Sequence, residues 1–591
     1  MLSGQLNDFQ LGEFQPRQRP NRTLNNFLTI SFCLSWIWIA FVGSVDTTVE
    51  DKLAQIVSVK DFGAVGDGIV DDTVAIQAAL NSGAAEVCVP DGTYLHDTLT
   101  LPTGVWLVGH GGILKAKATR YQILTAVNSQ NSAVKNLIFD ATSLTSTLVT
   151  DEKSCISTPV GGVTLTNFVV DGCQFLNIPT GIGQRIHAIR LTYGQATVTN
   201  NYTPQSGGDI YNFNDGYFIV TNNIAENSGD GGISFNNDAR GVIANNYIYK
   251  CDLGIGAGPE GSVGDDDHSL IISSNEIVAC GDGINMGWFA FVNRKGPRNV
   301  KIVGNTISKC KRNGMRYDGD VATWTAYLSI VGNAVYDGGS TDYDGVAGTG
   351  FGIVLGGCKY SLIEGNTLHD NLGTDIIVSG FENVEILGNA INAGAYADIG
   401  GSAIDFQSTN SRIANNTIFG RRVLIQNCQN VQVVDNTFTL GLLAANQGGV
   451  VVATTASNVG FSGNTFANCG NAIYLQNLSA WFANDVYESN KFVSCAVNVV
   501  SSPLPREGDA YTESYYIGTV DGSNNFDITH NLGSTAPHTV VNGTAFIKGF
   551  SGEALPLTLA FVDGTKARFT GGTSGNTARG YLRINKNAPA W

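Results

Sequence analysis

Acidic side chains recur at similar places in successive repeats of this chain. Asp230, Asp252 and Asp282 each stand just before a short run of glycine and aliphatic residues, and Arg312 follows in the next repeat. Two carboxyl groups within reach of one bond can act as general acid and general base, and crowding raises the pKa of one of them. The pattern predicts acid–base catalysis by these aspartates. The structural alternative is that each Asp before Gly is a turn residue.

A second set of polar side chains lies within the strands that follow. Period-two alternation predicts the outward positions to be Ser234, Asn236, Asn285, Arg316, Asp318, Val354, Ile377, Asp405 and Gln407. Asp318 offers a further acid or base, and Arg316 suits a bidentate pair with an acidic group. We predict that Asn285, Arg316 and Asp405 contact a ligand. A simple ion pair is the alternative for Arg316 and Asp318.

Aromatic side chains and long loops occur beside the same strands. Trp288 and Trp324 are candidate platforms for stacking a ligand ring, with packing against a neighbouring subunit as the alternative. Residues 258–268 and 316–324 form insertions that could wall a groove. The eleven cysteines contain no CxxC pair and no histidine stands at zinc-ligand spacing, so the sequence predicts no metal and no cofactor.

A repeated asparagine shows which elements must position these residues. An aliphatic residue, two variable residues and Asn recur about every 26 residues, a period typical of a parallel β-helix with about three short strands per coil. The recurring residues are Asn201, Asn223, Asn246, Asn275, Asn305, Asn333, Asn366, Asn389, Asn416, Asn436, Asn464 and Asn490. Stacked amides would satisfy the turn backbone, so these asparagines are predicted to be structural. Like positions on neighbouring coils would lie ~4.8 Å apart, and on alternate coils ~9.6 Å.

Composition narrows the class of protein. The 591 residues carry a formal charge of −16, only 14% of them are charged, and 43% are hydrophobic. That apolar content is enough to fill a core and argues against disorder. No cluster of Lys and Arg provides a phosphate-binding surface, so nucleic acid is excluded as the expected partner.

The sequence predicts different structures at the two ends of the repeat array. Asp72 is predicted to cap a helix, TVAIQAAL (73–80), that closes the N-terminal end of the coils. Beyond a linker containing Pro503 and Pro505, residues 510–591 read as a small β-sandwich. The predicted divisions are residues 1–46, the first part of the helix at 47–200, regular coils at 201–502, and the sandwich.

The N-terminal segment 1–46 contains a hydrophobic stretch. Residues 27–43 are uncharged and mostly apolar, and Arg17, Arg19 and Arg22 precede them. This polarity is that of a signal peptide or a short membrane anchor. Particle attachment, packing within an oligomer, or a translation start assigned too far upstream are the alternatives.

Two segments of the sequence also resemble a known family closely. Residues 52–80, KLAQIVSVKDFGAVGDGIVDDTVAIQAAL, and residues 87–95, VCVPDGTYL, resemble the opening of pectate-lyase-like β-helices and especially of bacteriophage tailspikes. The resemblance implies a homotrimeric right-handed β-helix on a phage particle that binds, and usually depolymerises, a bacterial capsule or O-antigen. Residues 1–46 do not resemble a particle-binding domain, and no motif of the family fixes the catalytic residues.

Together these observations predict an all-β protein, a right-handed single-stranded parallel β-helix with a capping helix and a C-terminal β-sandwich. The expected function is cleavage of a bacterial surface polysaccharide by a tailspike-like depolymerase in the virion tail, with hydrolysis favoured over elimination. Asp230, Asp252, Asp282 and Asp318 are the predicted catalytic residues. A secreted or membrane-anchored bacterial polysaccharide lyase and a non-catalytic glycan-binding adhesin are the alternatives.

Overall fold

The computed structural model divides the chain into residues 1–54 and 55–591. The residues it describes are 48, 54–117, 121–125, 129–144, 153–159, 164–180, 185–258, 269–287, 299–319, 327–357, 359–394, 401–440, 448–476, 489–495, 497–501, and the strands and residue 523 of the C-terminal part. The apolar stretch 27–43 lies outside them. Among the described residues, no helix has the length and apolar character needed to span a membrane.

Short parallel strands stack coil upon coil and form three faces, as the asparagine repeat predicts. Face 1 begins after each ladder asparagine, face 2 follows it along the chain, and face 3 leads to the next asparagine. Six of the strands that the structure describes bend across two faces: Glu86–His96, Trp106–Ala116, Ile186–Thr199, Tyr211–Thr221, Ile224–Asn236 and Tyr247–Gly258.

The remaining strands of the coils each lie on one face. Face 1 also contains Asp67–Asp71, Ile138–Asp140, Gln174–Leu176, Tyr202–Thr203, Glu276–Val278, Thr306–Ser308, Ala334–Tyr336, Thr367–His369, Ala390–Asn392, Thr417–Phe419, Thr437–Thr439, Thr465–Ala467 and Lys491–Val493. Face 2 also contains Leu99–Leu101, Tyr121–Thr125, Lys153–Ser157, Asp282–Met286, Asn313–Asp318, Phe351–Gly356, Ile376–Glu382, Ile404–Thr409, Val423–Ile425, Gly448–Val452, Asn471–Leu475 and Val497–Ser501. Face 3 also contains Ile56–Ser58, Ala133–Lys135, Leu165–Asp171, Arg240–Ala244, Leu270–Ser273, Val300–Val303, Leu328–Val331, Ser361–Glu364, Val384–Leu387, Ser411–Ala414, Gln429–Val434 and Ser457–Ser462.

The predicted asparagine ladder is confirmed from Asn201 to Asn490. The Oδ1 atom of Asn305 accepts hydrogen bonds from the backbone N–H and the Nδ2 group of Asn275, each at 2.9 Å. Its own Nδ2 donates to Oδ1 of Asn333 and to the carbonyl of Ile272, also at 2.9 Å. Each ladder side chain therefore satisfies backbone and amide groups of two neighbouring coils.

One continuous core of aliphatic and aromatic side chains fills the space between the faces. The predicted helix Thr73–Leu80 is present, and its residues Ile76, Ala79 and Leu80 belong to that core. Asp72 is the N-cap residue of this helix, as predicted, but its side chain makes no hydrogen bond to the helix. The Asp72 carboxylate instead accepts hydrogen bonds from the backbone N–H groups of Val65, at 2.7 Å, and Gly66, at 3.1 Å. The loop before the helix thus competes successfully for the same carboxylate.

The C-terminal part consists of antiparallel strands in two sheets, as its alternating sequence predicts. One sheet contains Tyr511–Thr519, Thr539–Val540, Ala545–Lys548, Ala554–Leu555 and Thr577–Asn585. The other contains Asn525–Thr529, Thr558–Asp563 and Lys566–Thr570. The hairpin predicted at Asp563 is confirmed, since Asp563 pairs with Lys566.

Candidate functional site

Face 2 aligns the outward side chains of successive coils in one column. In this column Asn285 pairs with Arg316, Arg316 with Val354, Val354 with Ile377, and Ile377 with Asp405. The predicted inward neighbours are all buried: Ile233, Phe235, Ile284, Met286, Met315, Tyr317, Ile404 and Phe406. The predicted alternation of face 2 is therefore confirmed.

Asp282 lies at the beginning of a face 2 strand and is almost wholly buried, with 2% of its side chain exposed. Its Oδ1 accepts hydrogen bonds from the backbone and side chain of Asn313, at 3.1 and 2.7 Å. Its Oδ2 accepts from Nδ2 of Asn285 at 3.0 Å and from Nε of Arg312 at 3.1 Å. Both oxygens are thus occupied within the protein, and this carboxylate holds the strand ends of two coils together.

Arg312 joins Asp282 to Asp252 on the preceding coil. Its Nη1 donates to Oδ1 of Asp252 at 2.8 Å, and the hydroxyl of Tyr343 donates to the same oxygen at 3.2 Å. Burial opposes the charge of Arg312, but the hydrogen bonds to Asp252 and Asp282 raise the pKa of its guanidinium. Asp252 keeps 36% of its side chain exposed, so it can still be reached from solvent.

The expectation that Asp230, Asp252 and Asp282 share one phase is wrong. In the ladder of face 2, Asp282 pairs with Leu253, the residue after Asp252. Leu253 pairs in turn with Gly231, the residue after Asp230. The cause lies in the sequence before each strand's first inward isoleucine. Asp252 is one residue farther from that isoleucine in its strand than Asp282 is in its own. A one-residue shift in a strand turns a side chain to a different direction, so the three carboxylates do not form one row.

A residue that sequence reasoning missed does share the position of Asp282. Asp209 accepts hydrogen bonds through Oδ2 from Nδ2 of Asn212, at 2.6 Å, and through Oδ1 from the hydroxyl of Ser234, at 2.7 Å. The Asp282–Asn285 contact repeats the Asp209–Asn212 contact. The shared Asp-x-x-Asn spacing was the available signal for this structural motif.

Arg316 and Asp318 form an ion pair within one strand of face 2. Nε of Arg316 donates to Oδ2 of Asp318 at 2.5 Å, and 36% of the Asp318 side chain is exposed. Glycine occupies the positions on either side of Asp318, Gly287 on one coil and Gly356 on the next. A Cβ at Gly356 would lie 3.2 Å from Oδ1 of Asp318. Because neither glycine has a side chain, Asp318 lies close to the backbone of both neighbouring coils, with an arginine beside its accessible carboxylate.

Asn285 adds an acceptor to the same neighbourhood. It is the register partner of Arg316 and is 3% exposed, and its Nδ2 is used by Asp282. Within the part of the chain that the structure describes, its Oδ1 is buried without a hydrogen-bond partner. A buried amide oxygen without a partner is costly and marks a place where a water or ligand donor would be stabilised.

The other predicted site residues lie apart or outside the description. Asp405 is three strands beyond Arg316, about 14 Å along face 2, and its Oδ1 accepts from Gln426 at 3.0 Å. Asp230 is two coils before Asp282 and is half-buried. Trp288 and Trp324 lie outside the described residues. The structure thus brings Asp252, Asp282, Asn285, Arg316 and Asp318 into one region of neighbouring coils and leaves Asp230 and Asp405 at its edges.

Two family models match the chain along most of the coils. Residues 56–256 match "Rhamnogalacturonase A/epimerase, pectate lyase-like", and residues 296–438 and 351–531 match "Right handed beta helix region". The chain carries a pectate-lyase-like right-handed β-helix. The predicted fold and the resemblance read from residues 52–95 are both confirmed.

Curated relatives of this β-helix match it over short segments. The mannuronan C5-epimerase AlgE5 of Azotobacter vinelandii is 42% identical over 66 residues, which are 9% of this chain and 7% of that protein. The plasmin and fibronectin-binding protein A of Streptococcus pneumoniae is 44% identical over 80 residues, 12% of this chain and 10% of that protein. A putative phage-related protein of Bacillus subtilis, YobO, is 43% identical over 60 residues, 10% of this chain and 7% of that protein. The β-helix therefore matches no more than a tenth of the length of each of these relatives.

Solved structures share the fold over much more of the chain. A tailspike protein mutant of the E. coli bacteriophage HK620, solved with a pentasaccharide, covers 93% of this chain and 97% of its own, with a TM-score of 0.52 and 14% identity. The A-module of the mannuronan C-5 epimerase AlgE6 of Azotobacter vinelandii covers 76% of this chain and 100% of its own, with a TM-score of 0.36 and 15% identity. At 14% identity the likeness to the HK620 tailspike concerns the fold.

Proposed function

We propose that this β-helix binds and cleaves a bacterial surface polysaccharide, a capsule or an O-antigen, by hydrolysis. The observation that carries the proposal is the Arg316–Asp318 pair on face 2, whose carboxylate side chain is 36% exposed and has glycine on both sides. The pair lies on a sheet of stacked parallel strands, and such a surface suits a long chain of sugars. A pentasaccharide bound to a tailspike of the same fold supports the substrate class.

The roles follow from which carboxylates are accessible. Asp318 and Asp252 keep 36% of their side chains exposed, whereas Asp282 keeps 2%. Only an accessible carboxyl group can transfer a proton to or from a glycosidic oxygen, so Asp318 is the proposed acid–base residue. Asp252 lies two coils before Asp318 and about six residue positions away along the strand direction, roughly 20 Å, which is beyond the carboxyl separations of glycosidases, so it is proposed to hold Arg312. Asp282 is proposed to position Arg312 and Asn285 rather than to touch the sugar.

Arg316 is proposed to bind the sugar. The guanidinium of Arg316 can pair with the carboxylate of an acidic sugar while Nε holds Asp318. This contact would place a glycosidic oxygen beside the Asp318 carboxylate. Asn285 is 3% exposed and its Oδ1 is buried, so it is proposed to hold Asp282 beside Arg316 rather than to touch the sugar.

The biological setting is proposed from the same reasoning. A polysaccharide-cleaving β-helix with an acidic surface and the tailspike fold suits a homotrimer attached to a phage tail, where it would clear the host's surface polysaccharide. The charge of −16 agrees with a partner other than nucleic acid.

Replacing Asp318 by Asn tests the catalytic proposal. The change keeps the size of the side chain and removes its acid–base capacity, so depolymerisation of a susceptible polysaccharide should fall about 10²-fold or more while the melting temperature stays the same. New reducing ends would measure hydrolysis. Ultraviolet absorbance of an unsaturated uronate would instead reveal elimination.

A matched control is Asp342→Asn, which removes another exposed carboxylate that pairs with a cation, Lys309 at 3.2 Å. This control should retain parental activity. Parental activity in the Asp318→Asn variant would reject the site. Binding of polysaccharide by the parent protein without any product would favour a glycan-binding role over an enzyme.

A further inference from the structure

Three side chains of different chemistry meet on face 3 in the first two coils. Glu86 and Cys88 are two residues apart on the strand Glu86–His96, so both point outward. His110 lies on the adjacent strand Trp106–Ala116, where it pairs with Pro90. A carboxylate oxygen of Glu86, the thiol of Cys88 and a ring nitrogen of His110 all lie within 4.8 Å of one another.

Without a bound cation, the negative charges around Cys88 disfavour the ionised thiolate form of its side chain. Oε1 of Glu86 lies 3.6 Å from Sγ of Cys88. Burial, then the negative charges of Glu86 and Asp61, raise the pKa of the Cys88 thiol. Asp61 comes from the short 3-10 turn Val59–Phe62, which the adjacent strand Ile56–Ser58 brings next to Cys88. A divalent cation at this point would reverse that balance and favour the thiolate.

We propose that Glu86, Cys88 and His110 bind one zinc ion on face 3. Thiolate sulfur, imidazole nitrogen and carboxylate oxygen are the three kinds of ligand that zinc takes in proteins, and a water can complete a tetrahedral set. Softer thiolate ligands also disfavour magnesium and calcium at this place. The ion would join the first coil to the second coil and stabilise the N-terminal end of the β-helix.

The site escapes an analysis of spacing along the chain because one coil separates its ligands. Cys88 and His110 are 22 positions apart in the sequence, which is far from the short spacings of zinc motifs. Only the stacking of the coils brings them together. This is why the sequence predicts no metal while the fold provides three ligands.

The proposal is tested on the full-length protein, stripped with a chelator and titrated with zinc chloride by calorimetry. We expect one equivalent to bind and the melting temperature to rise with zinc. Cys88→Ser and His110→Asn should each weaken zinc binding at least tenfold. Cobalt(II) should give the charge-transfer absorption of a cobalt–thiolate bond in the parent and not in Cys88→Ser.

Cys495→Ser is the matched control, because Cys495 is also a partly exposed free thiol on a late coil. It should bind zinc and cobalt as the parent does. Absence of binding in the parent, or unchanged binding in both ligand variants, would overturn the proposal. Loss of the cobalt–thiolate band in Cys495→Ser and not in Cys88→Ser would place the ion elsewhere.

Discussion

Asn305 shows how many hydrogen bonds a single ladder residue contributes to the stability of the coils. It accepts two hydrogen bonds from Asn275 and donates to Asn333 and to Ile272, and it is 1% exposed. Replacing it by Ala would leave the N–H groups of Asn275 and the Oδ1 of Asn333 buried with fewer partners. We expect a loss of about 1–3 kcal/mol in the free energy of unfolding, measured by chemical or thermal denaturation.

Asn392→Ala is the comparison for that change. Asn392 is an exposed asparagine on face 1, and its Oδ1 accepts from the backbone N–H of Gly394 at the surface. Its replacement should change stability by less than about 0.5 kcal/mol. Equal stability of the two variants would mean that the ladder is not what holds the turns.

His96 predicts a pH dependence of stability. Its ring is fully buried, and its pKa is lowered to about 4, because burial disfavours the charged ring more strongly than the carbonyl of Asp97 favours it. The unfolded chain takes up this proton near pH 6.5 and the folded chain only near pH 4. The corresponding stability is therefore complete above about pH 6.5 and is lost, by up to about 3 kcal/mol, as the pH falls to about 4.

Melting temperatures recorded across this range check the effect of His96. The His96→Gln variant should lose less stability than the parent between about pH 6.5 and about pH 4. Parallel pH profiles for the two proteins would show that His96 does not titrate on unfolding.

At the scale of the elements, the sequence determines which side chains of a strand alternate inward and outward more firmly than it determines the register between neighbouring strands. Inward Ile284 and Met315 were predictable because apolar residues repeat with period two and the core needs them. The pairing of Asp282 with Leu253 was not, since one residue more or less in a turn changes the register without changing the pattern. The hydrogen bonds from Arg312 to both Asp252 and Asp282 could not be predicted either. They depend on how far a side chain extends across two coils of the folded chain.

The turn before each ladder asparagine shows why the sequence around it is so restricted. The preceding residue has a positive φ on coil after coil, for example +64° at Gly332, +56° at Asn245 and +55° at Asp435. Glycine, asparagine and aspartate tolerate this conformation better than other residues. A side chain at Gly332 would meet nothing within 4 Å, so only the backbone conformation disfavours it.

Gly332→Ala isolates that backbone term. It should cost about 1 kcal/mol in the free energy of unfolding, because an L-residue in the left-handed region is strained by roughly 1–2 kcal/mol. Gly229→Ala is the matched control, since Gly229 has equal space around it and no left-handed φ, and it should be neutral or slightly stabilising. Denaturant titration of both variants measures the difference. The explanation fails if both cost the same.

At the scale of the whole molecule, apolar outward residues of face 2 predict self-association. Beyond Arg316 the outward column includes Val354, Ile377 and Leu424, each half-buried in the single chain, and a homotrimer would cover them. Light scattering should therefore return about three times the chain mass of 62.4 kDa.

The variant Ile377→Glu should shift the protein towards a single chain, because a trimer interface would bury an unpaired carboxylate at a high cost in free energy. Ile271→Glu is the control, since Ile271 is an isoleucine of face 3 that is 40% exposed, and it should leave the mass unchanged. A parental mass near 62 kDa would reject the trimer. An Ile377→Glu trimer would move the interface to another face.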